Sequence, residues 1–558
     1  MRRFVLPLAL STALLASGCA SSSASPQSAA PLASEPVGRP QLVLAISIDQ
    51  FSADVFAENR ARYTGGLARL QQGVVFPSGY QSHGATETCP GHSTILTGAR
   101  PARNGIIANN WFEPGIDRAD KRVYCSEDTR DPASTSREPV VSAQFLKVPT
   151  LGEYMKAAAS GTRNVAVSAK DRAVVMMGGH KIDAGYWYKG GAFVTFKGAT
   201  LSPAAQAANA ALAKQIAAGA QALPVPAWCG VKDRAVSVGN GTVGTGKFAL
   251  EPNKPEVFRV SPRMDFVTVD LANALVDEMG LGKGEAPDVL SVSLSASDYV
   301  GHAYGTEGVE MCIQMAQLDA ALAKLFAHLD ARGIDYMAVL TADHGGLDTP
   351  ERLDQQAFPR ATRSDRALNP GELGKAVAAR TGIKVDGPLI YGDGPFGDMY
   401  FSAALTPAQR AQASAALVAL VKPHPQVAAV FTREELEKTP LPSTGPQDWS
   451  IKDRLRASFD PARSGDVIIV LDRAVVPIPD PFIGAYTATH GSVFDYDRRV
   501  PILFWRKGLR GFEQPAPIET VDIAPTLAAV LGLKLPDGTF DGRCLDLDAG
   551  AGNSCERN

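Results

Sequence analysis

Apolar runs of strand length recur along this chain, and each ends on a polar residue able to do chemistry. "QLVLAISID" runs into Asp49, "APDVLSVSLSASDYVGH" into Asp298 and His302, and "DYMAVLTADHGG" into Asp343 and His344. "VPILFW", near residue 500, reads as a fourth strand, and "GVEMCIQMAQLDAALAKLFAHLDARG" reads as a helix between two of the runs. Strands that are apolar throughout, separated by helices, predict an α/β fold: a mostly parallel sheet flanked by helices on both faces. In such sheets ligands bind beyond the carboxyl ends of the strands. Asp49, Asp298, Asp343 and His344 all fall at those ends.

Two long stretches break the rhythm. One spans about residues 175–285 and includes "DAGYWYKGGAFVTF"; the other spans about 350–480 and is rich in Pro and Gly. Both are expected as inserted subdomains capping the active edge of one catalytic domain, residues 39–548, followed by a short tail, 549–558. The start, "MRRFVLPLALSTALLASGC", has two arginines, an apolar stretch and then small residues, the pattern of a secretory leader over residues 1–19. Its Gly18-Cys19 end is similar to a bacterial lipobox with Ala16 where leucine is usual, so lipid anchoring at Cys19 to the outer membrane and plain cleavage both stay open. The Ser/Ala/Pro-rich residues 20–38 read as a flexible tether. The expected location is periplasmic or exported.

Composition narrows the partners. The formal charge is -3, from 55 basic and 58 acidic residues without a dense basic block, which argues against nucleic acid. After Cys19 the chain holds six cysteines, an even number that in an exported protein favours disulfides. Cys544 with Cys555 and Cys89 with Cys125 are the expected pairs.

The candidate chemistry is metal-dependent. Zinc takes nitrogen and oxygen ligands in roughly tetrahedral sets. Asp298 and His302, at D-x-x-x-H spacing, would share one face of a helix, and His490 in "THGSVFDYDRRVPILFW" could complete their set. Asp49, Asp343 and His344 form another, with Thr88 as a further ligand. Singly, an Asp at a strand end is more simply a cap and a lone histidine a surface residue. The other five histidines, His83, His92, His180, His328 and His424, lie in no comparable acidic motif. In "TETCPGHSTILTG" the nucleophile could be Thr86, Thr88 or Cys89.

"SID" at Asp49, the threonine before a helix at Thr88, "SDYVGHAYG", "TADHGG", "THGS" and the closing "ETVDIAPTLAAVLGLKLPDGTFDG" together resemble the alkaline phosphatase superfamily, over nearly the whole chain beyond the leader. The resemblance implies two zinc ions, one held by Asp298, His302 and His490, the other by Asp49, Asp343, His344 and the nucleophile oxygen of Thr88. Metal coordination would activate that hydroxyl, and the start of a helix would suit a phosphate. The expected reaction is hydrolysis of small-molecule phosphate monoesters through a phosphothreonine, by a chain working as a monomer.

Within the superfamily, a sulfatase would need C-x-P-x-R, but Ser93 stands where arginine belongs. Lys170 and Arg172, at K-x-R spacing, with Asn109 in "ANNWF", resemble the phosphate-irrepressible bacterial alkaline phosphatases, whose counterparts bind the phosphate. Without that agreement each would read as a solvated or turn residue. The alternatives are a nucleotide pyrophosphatase/phosphodiesterase on the same scaffold and a non-catalytic zinc-binding module.

Overall fold

The computed structural model describes residues 38–556. The leader, the Cys19 anchor and residues 20–37 of the tether lie outside the described residues. Among the described residues no helix is long and apolar enough to cross a membrane.

The first apolar run forms the strand Leu42–Ile48, buried along its whole length. It pairs in parallel with Asp288–Leu294 on one side and Tyr336–Thr341 on the other. Such a strand has no wet face, which is why its apolar run is unbroken. Leu42, Leu44 and Ile46 pack into one core with Leu271 and Leu318; Val43 and Ala45 pack into the other with Ile95 and Leu527. The sheet has ten strands, in the order Phe512–Glu513, Val74–Tyr80, Arg499–Trp505, Tyr336–Thr341, Leu42–Ile48, Asp288–Leu294, Asn164–Ser168, Ala184–Lys189 and Ala192–Val194, with Ile518–Glu519 also paired to Val74–Tyr80.

"VPILFW" forms the strand Arg499–Trp505, antiparallel to Tyr336–Thr341 and Val74–Tyr80. An apolar run carries no direction; the connection before it does. Because this strand is reversed, its beginning lies at the edge where Tyr336–Thr341 ends. The loop carrying His490 is thereby delivered beside His344, with the two ring centroids 3.5 Å apart.

Part of the stretch 175–285 joins the central sheet, while its Arg259 and Val260 line the cavity that also holds Asp298. Its aromatic segment forms Ala184–Lys189 and Ala192–Val194, which extend the central sheet at one edge. The helices Pro203–Ala218 and Arg263–Met279 bury Leu212, Leu271 and Leu275 in the main core. The physical reason is side-chain alternation: Tyr186 and Tyr188 pack into one cluster and Trp187 into another, so the strand has an apolar partner on each face.

Residues 350–480 contain a separate four-stranded antiparallel sheet, ordered Ile390–Tyr391, Gly397–Phe401, Val467–Leu471 and Val427–Thr432. Its core, with Leu373, Leu417 and Ile469, is distinct from those of the main sheet. Residues of this unit, Asp393 and Phe396 among them, line a cavity of about 650 Å³ together with Asp298, His302 and His490. Cys89–Cys125 and Cys544–Cys555 pair as expected, and Cys229–Cys312 adds a third disulfide.

Candidate active site

The strand Val74–Tyr80 leads to the helix Thr88–Thr97, whose every residue is buried. Pro90 is tolerated because it falls in the first turn, where an amide has no helical partner. Gly91 allows the helix to touch the Asp343 strand end: a Cβ there would overlap the Asp343 carbonyl. Thr88 therefore starts the helix beside the ligand-type residues. Lys170 Nζ lies 3.4 Å and Arg172 Nη2 3.2 Å from its Oγ1.

One amide of the helix start is already occupied by a side chain. The Cys89 N–H donates to Asn109 Oδ1 at 2.8 Å, and the Asn109 N–H to Glu87 Oε2 at 2.6 Å. Asn109 thus caps the helix, and burial pushes Glu87 up to about 7. Thr86 is structural: its hydroxyl donates to the Ser492 carbonyl at 2.6 Å. Cys89 is tied to Cys125, which leaves no free thiol there.

Two clusters of ligand-type side chains face one another beyond the strand ends. Asp49, Asp343 and His344 bring one donor atom each to within 4.8 Å of one another, and so do Asp298, His344 and His490. His344 belongs to both. His302 lies outside the second triad, although its Nε2 is 3.2 Å from Asp298 Oδ1; His490 Nε2 is 3.3 Å from the same oxygen. His302, His344 and His490 each direct Nδ1 to a backbone carbonyl at 2.8 Å, those of Ala488, Gly345 and Thr86. Such a bond fixes the tautomer and leaves Nε2 as a lone pair. Burial pushes His344 down to about 3 and lowers His490 as well, so both imidazoles stay neutral.

This donor set fits divalent cations. Both Asp49 oxygens, Asp298 Oδ1, Asp343 Oδ2 and His344 Nε2 are buried without a hydrogen-bond partner. Buried polar atoms seldom go unpaired, and these five converge. Three carboxylates in one buried pocket also exceed the charge of Lys170 and Arg172. Asp49 shows the strain: burial first, then Asp298 and Asp343, raise its carboxyl well above the usual range. The mixed oxygen and imidazole ligands suit zinc.

Lys170 does more than face Thr88. Its Nζ lies 2.5 Å from Asp298 Oδ2 and 2.6 Å from Asp49 Oδ2, the latter off hydrogen-bond geometry. Burial opposes its charge, but Asp298 and Asp49 outweigh burial and hold its pKa above the ordinary lysine value. Arg172 approaches Tyr124 Oη at 3.5 Å, and that hydroxyl donates to Asp171 at 2.6 Å.

Three supporting residues escaped the sequence reading. His92, set aside for want of an acidic motif, is a correction: its Nδ1 is 3.1 Å from Asp343 Oδ2 and 2.9 Å from the Thr88 carbonyl, and its Nε2 meets Ser293 Oγ at 3.0 Å. Its position four after Thr88 was the available signal. Tyr124 gave no signal, because it is brought in by the segment tied through Cys125. The third is Gln50, whose backbone is left-handed (φ 59°) and whose N–H donates to Asp343 Oδ1 at 3.1 Å.

Gln50 fills the space between Gly301, on the helix of Asp298 and His302, and Gly346, after His344. A Cβ on Gly301 would overlap the Gln50 amide oxygen. Gly301→Ala is expected to lower stability by roughly 1–3 kcal/mol, the usual cost of overpacking, and to reduce bound metal. Thermal unfolding and metal analysis of the purified variant check both; unchanged values for the two would show that Gln50 moves aside freely.

Residues 43–492 match the family model described as "Type I phosphodiesterase / nucleotide pyrophosphatase". The chain is 51% identical over 518 residues to the alkaline phosphatase PhoK of a Sphingomonas species, covering 92% of each protein. It is 47% identical over 522 residues to the alkaline phosphatase PhoD of Zymomonas mobilis, covering 92% of this chain and 89% of that protein. The solved structure of the alkaline phosphatase PafA shares the fold, with a TM-score of 0.78 at 24% identity, over 92% of this chain and 99% of that one.

Proposed function

The chain belongs to the type I phosphodiesterase / nucleotide pyrophosphatase family of the alkaline phosphatase superfamily, and from that membership we propose that it is a two-metal phosphomonoesterase with Thr88 as nucleophile. It is an enzyme, an alkaline phosphatase, like its relatives at 47% identity and above. The observation that carries the finer reading is the meeting of Lys170 Nζ and Arg172 Nη2 at Thr88 Oγ1, beside both ligand clusters.

In this reading Asp49, Asp343, His344 and Thr88 would hold one zinc ion, and Asp298, His302 and His490 the other. The pair of ions, when bound, supplies activation of a hydroxyl and charge stabilisation at the attacking and leaving oxygens of an in-line displacement. Thr88 Oγ1 attacks phosphorus, the ester oxygen departs as an alcohol on the Asp298 side, and the phosphoryl group stays on Thr88. Water then cleaves that phosphothreonine and releases inorganic phosphate. Arg172 and Lys170 grip phosphoryl oxygens with charge-assisted hydrogen bonds. Asn109, whose oxygen is occupied by the Cys89 amide, has its NH₂ group left to donate.

Export belongs to the same proposal. All six cysteines within residues 38–556 are paired, as an oxidising compartment allows.

The test is a rate comparison on a chromogenic monoester and a matched diester before and after prolonged chelation. Chelation is expected to abolish monoester turnover, and zinc to restore it. His490→Ala should slow esters with poor leaving groups more than those with good ones, since that residue serves the leaving side. Full activity of the metal-free protein would overturn the mechanism; a faster diester reaction would favour the phosphodiesterase alternative.

A further inference from the structure

Beyond the phosphoryl site, one wall of the cavity carries a cation that no carboxylate among the described residues neutralises. Arg259 ends the short helix Pro255–Arg259 and lines the same cavity as Arg172, Asp298 and His302. Its guanidinium carbon sits 4.7 Å above the ring of Tyr299, and Lys170 Nζ lies 5.2 Å from that ring. Among the described residues Arg259 has no carboxylate within 4.0 Å, whereas Arg122, also in the cavity lining, is paired with Asp393. Arg259 is exposed, but its attachment is firm. Phe258 beside it is buried in the main core, and the Tyr188 hydroxyl holds the Pro255 carbonyl at 2.8 Å.

Tyr299 adds a second polar group. Among the described residues its hydroxyl has no hydrogen-bond partner, and a phenolic O–H can donate to an anion. Tyr299 also follows Asp298 directly and shares the helix Ala296–Tyr304 with His302. These are the residues assigned above to the leaving side. A group attached to the departing oxygen therefore moves toward this end of the cavity.

We propose that Arg259 and Tyr299 form a second anion site that takes a phosphate or carboxylate carried by the leaving group. The proposal rests on the monoesterase reading and narrows its substrates to those whose leaving group is itself anionic, such as phosphoanhydrides and phosphorylated hydroxy acids. A guanidinium stacked on a ring keeps its N–H edge free for an anion's oxygens, and the phenol can add one further hydrogen bond. The carboxylates across the cavity do not cancel this preference. Asp393 is paired with Arg122 and hydrogen-bonded by Asn110, while Asp398 Oδ1 accepts from the Gly465 N–H at 2.5 Å.

The experiment measures kcat/KM for phenyl phosphate, inorganic pyrophosphate and 3-phosphoglycerate with the metal-loaded wild type, Arg259→Gln and Arg259→Lys. In Arg259→Gln the ratio of pyrophosphate or phosphoglycerate to phenyl phosphate should fall about 10-fold, the lower end for a charge-assisted bond at an exposed site. Arg259→Lys should restore part of the ratio. A fall for one anion alone supports the site and identifies the anion it takes. Equal changes for all three substrates, including none, would overturn it. Failure of the wild type to hydrolyse any monoester would instead overturn the monoesterase reading.

Discussion

Thr88→Ala should lower kcat for phosphate monoesters by about 10⁴-fold or more, the scale on which removal of a catalytic nucleophile acts. The variant should keep its metals, because Asp49, Asp343 and His344 still converge without the threonine. It should also fold, since Thr88 starts its helix and the capping bond between Cys89 N–H and Asn109 does not involve the Thr88 side chain. Thr88→Ser keeps a hydroxyl at the same place and should retain substantial turnover. Rapid acid quench should trap phosphate on the wild type and not on the alanine variant. Near-normal turnover by the alanine variant, or phosphate trapped on another residue, would remove Thr88 from the role.

The double variant Lys170→Ala/Arg172→Ala should lower monoester kcat/KM by about 10³-fold or more, at ~2–3 kcal/mol for each lost charge-assisted contact. Diester hydrolysis should fall much less, because a diester has replaced one of the charged oxygens that the pair can grip. The single variants separate two effects. Arg172 faces Thr88 and Tyr124, so Arg172→Ala should report phosphate binding alone. Lys170 also pairs with Asp49 and Asp298, so its loss removes a cation from a carboxylate cluster and should not weaken zinc binding. Equal losses on monoester and diester would assign the pair to general support of the site and return weight to the phosphodiesterase reading.

Much of this site is legible in sequence because the sheet does the positioning. Asp49 follows Leu42–Ile48 and Asp343 follows Tyr336–Thr341 closely, so an apolar run ending in an acidic residue marks the active edge. Asp298 and His302 sit at a helical interval whose geometry is local. His490 is harder, since its placement depends on the reversed direction of Arg499–Trp505, which no run of apolar residues encodes. The first long stretch is only partly legible, because "DAGYWYKGGAFVTF" interrupts the spacing of strands although its residues join the same sheet.

The sequence by itself determined the fold class, the strand ends and the chemical types gathered there, because these follow from short-range periodicity and burial. Only the tertiary structure decided that His344 stands in both ligand clusters, that Asn109 caps the Thr88 helix, that His92 touches Asp343 and that Arg259 lies over Tyr299. Those pairs are separated by chain segments whose relative placement is set by packing of the whole core. A contact between distant residues leaves no periodic trace along the chain.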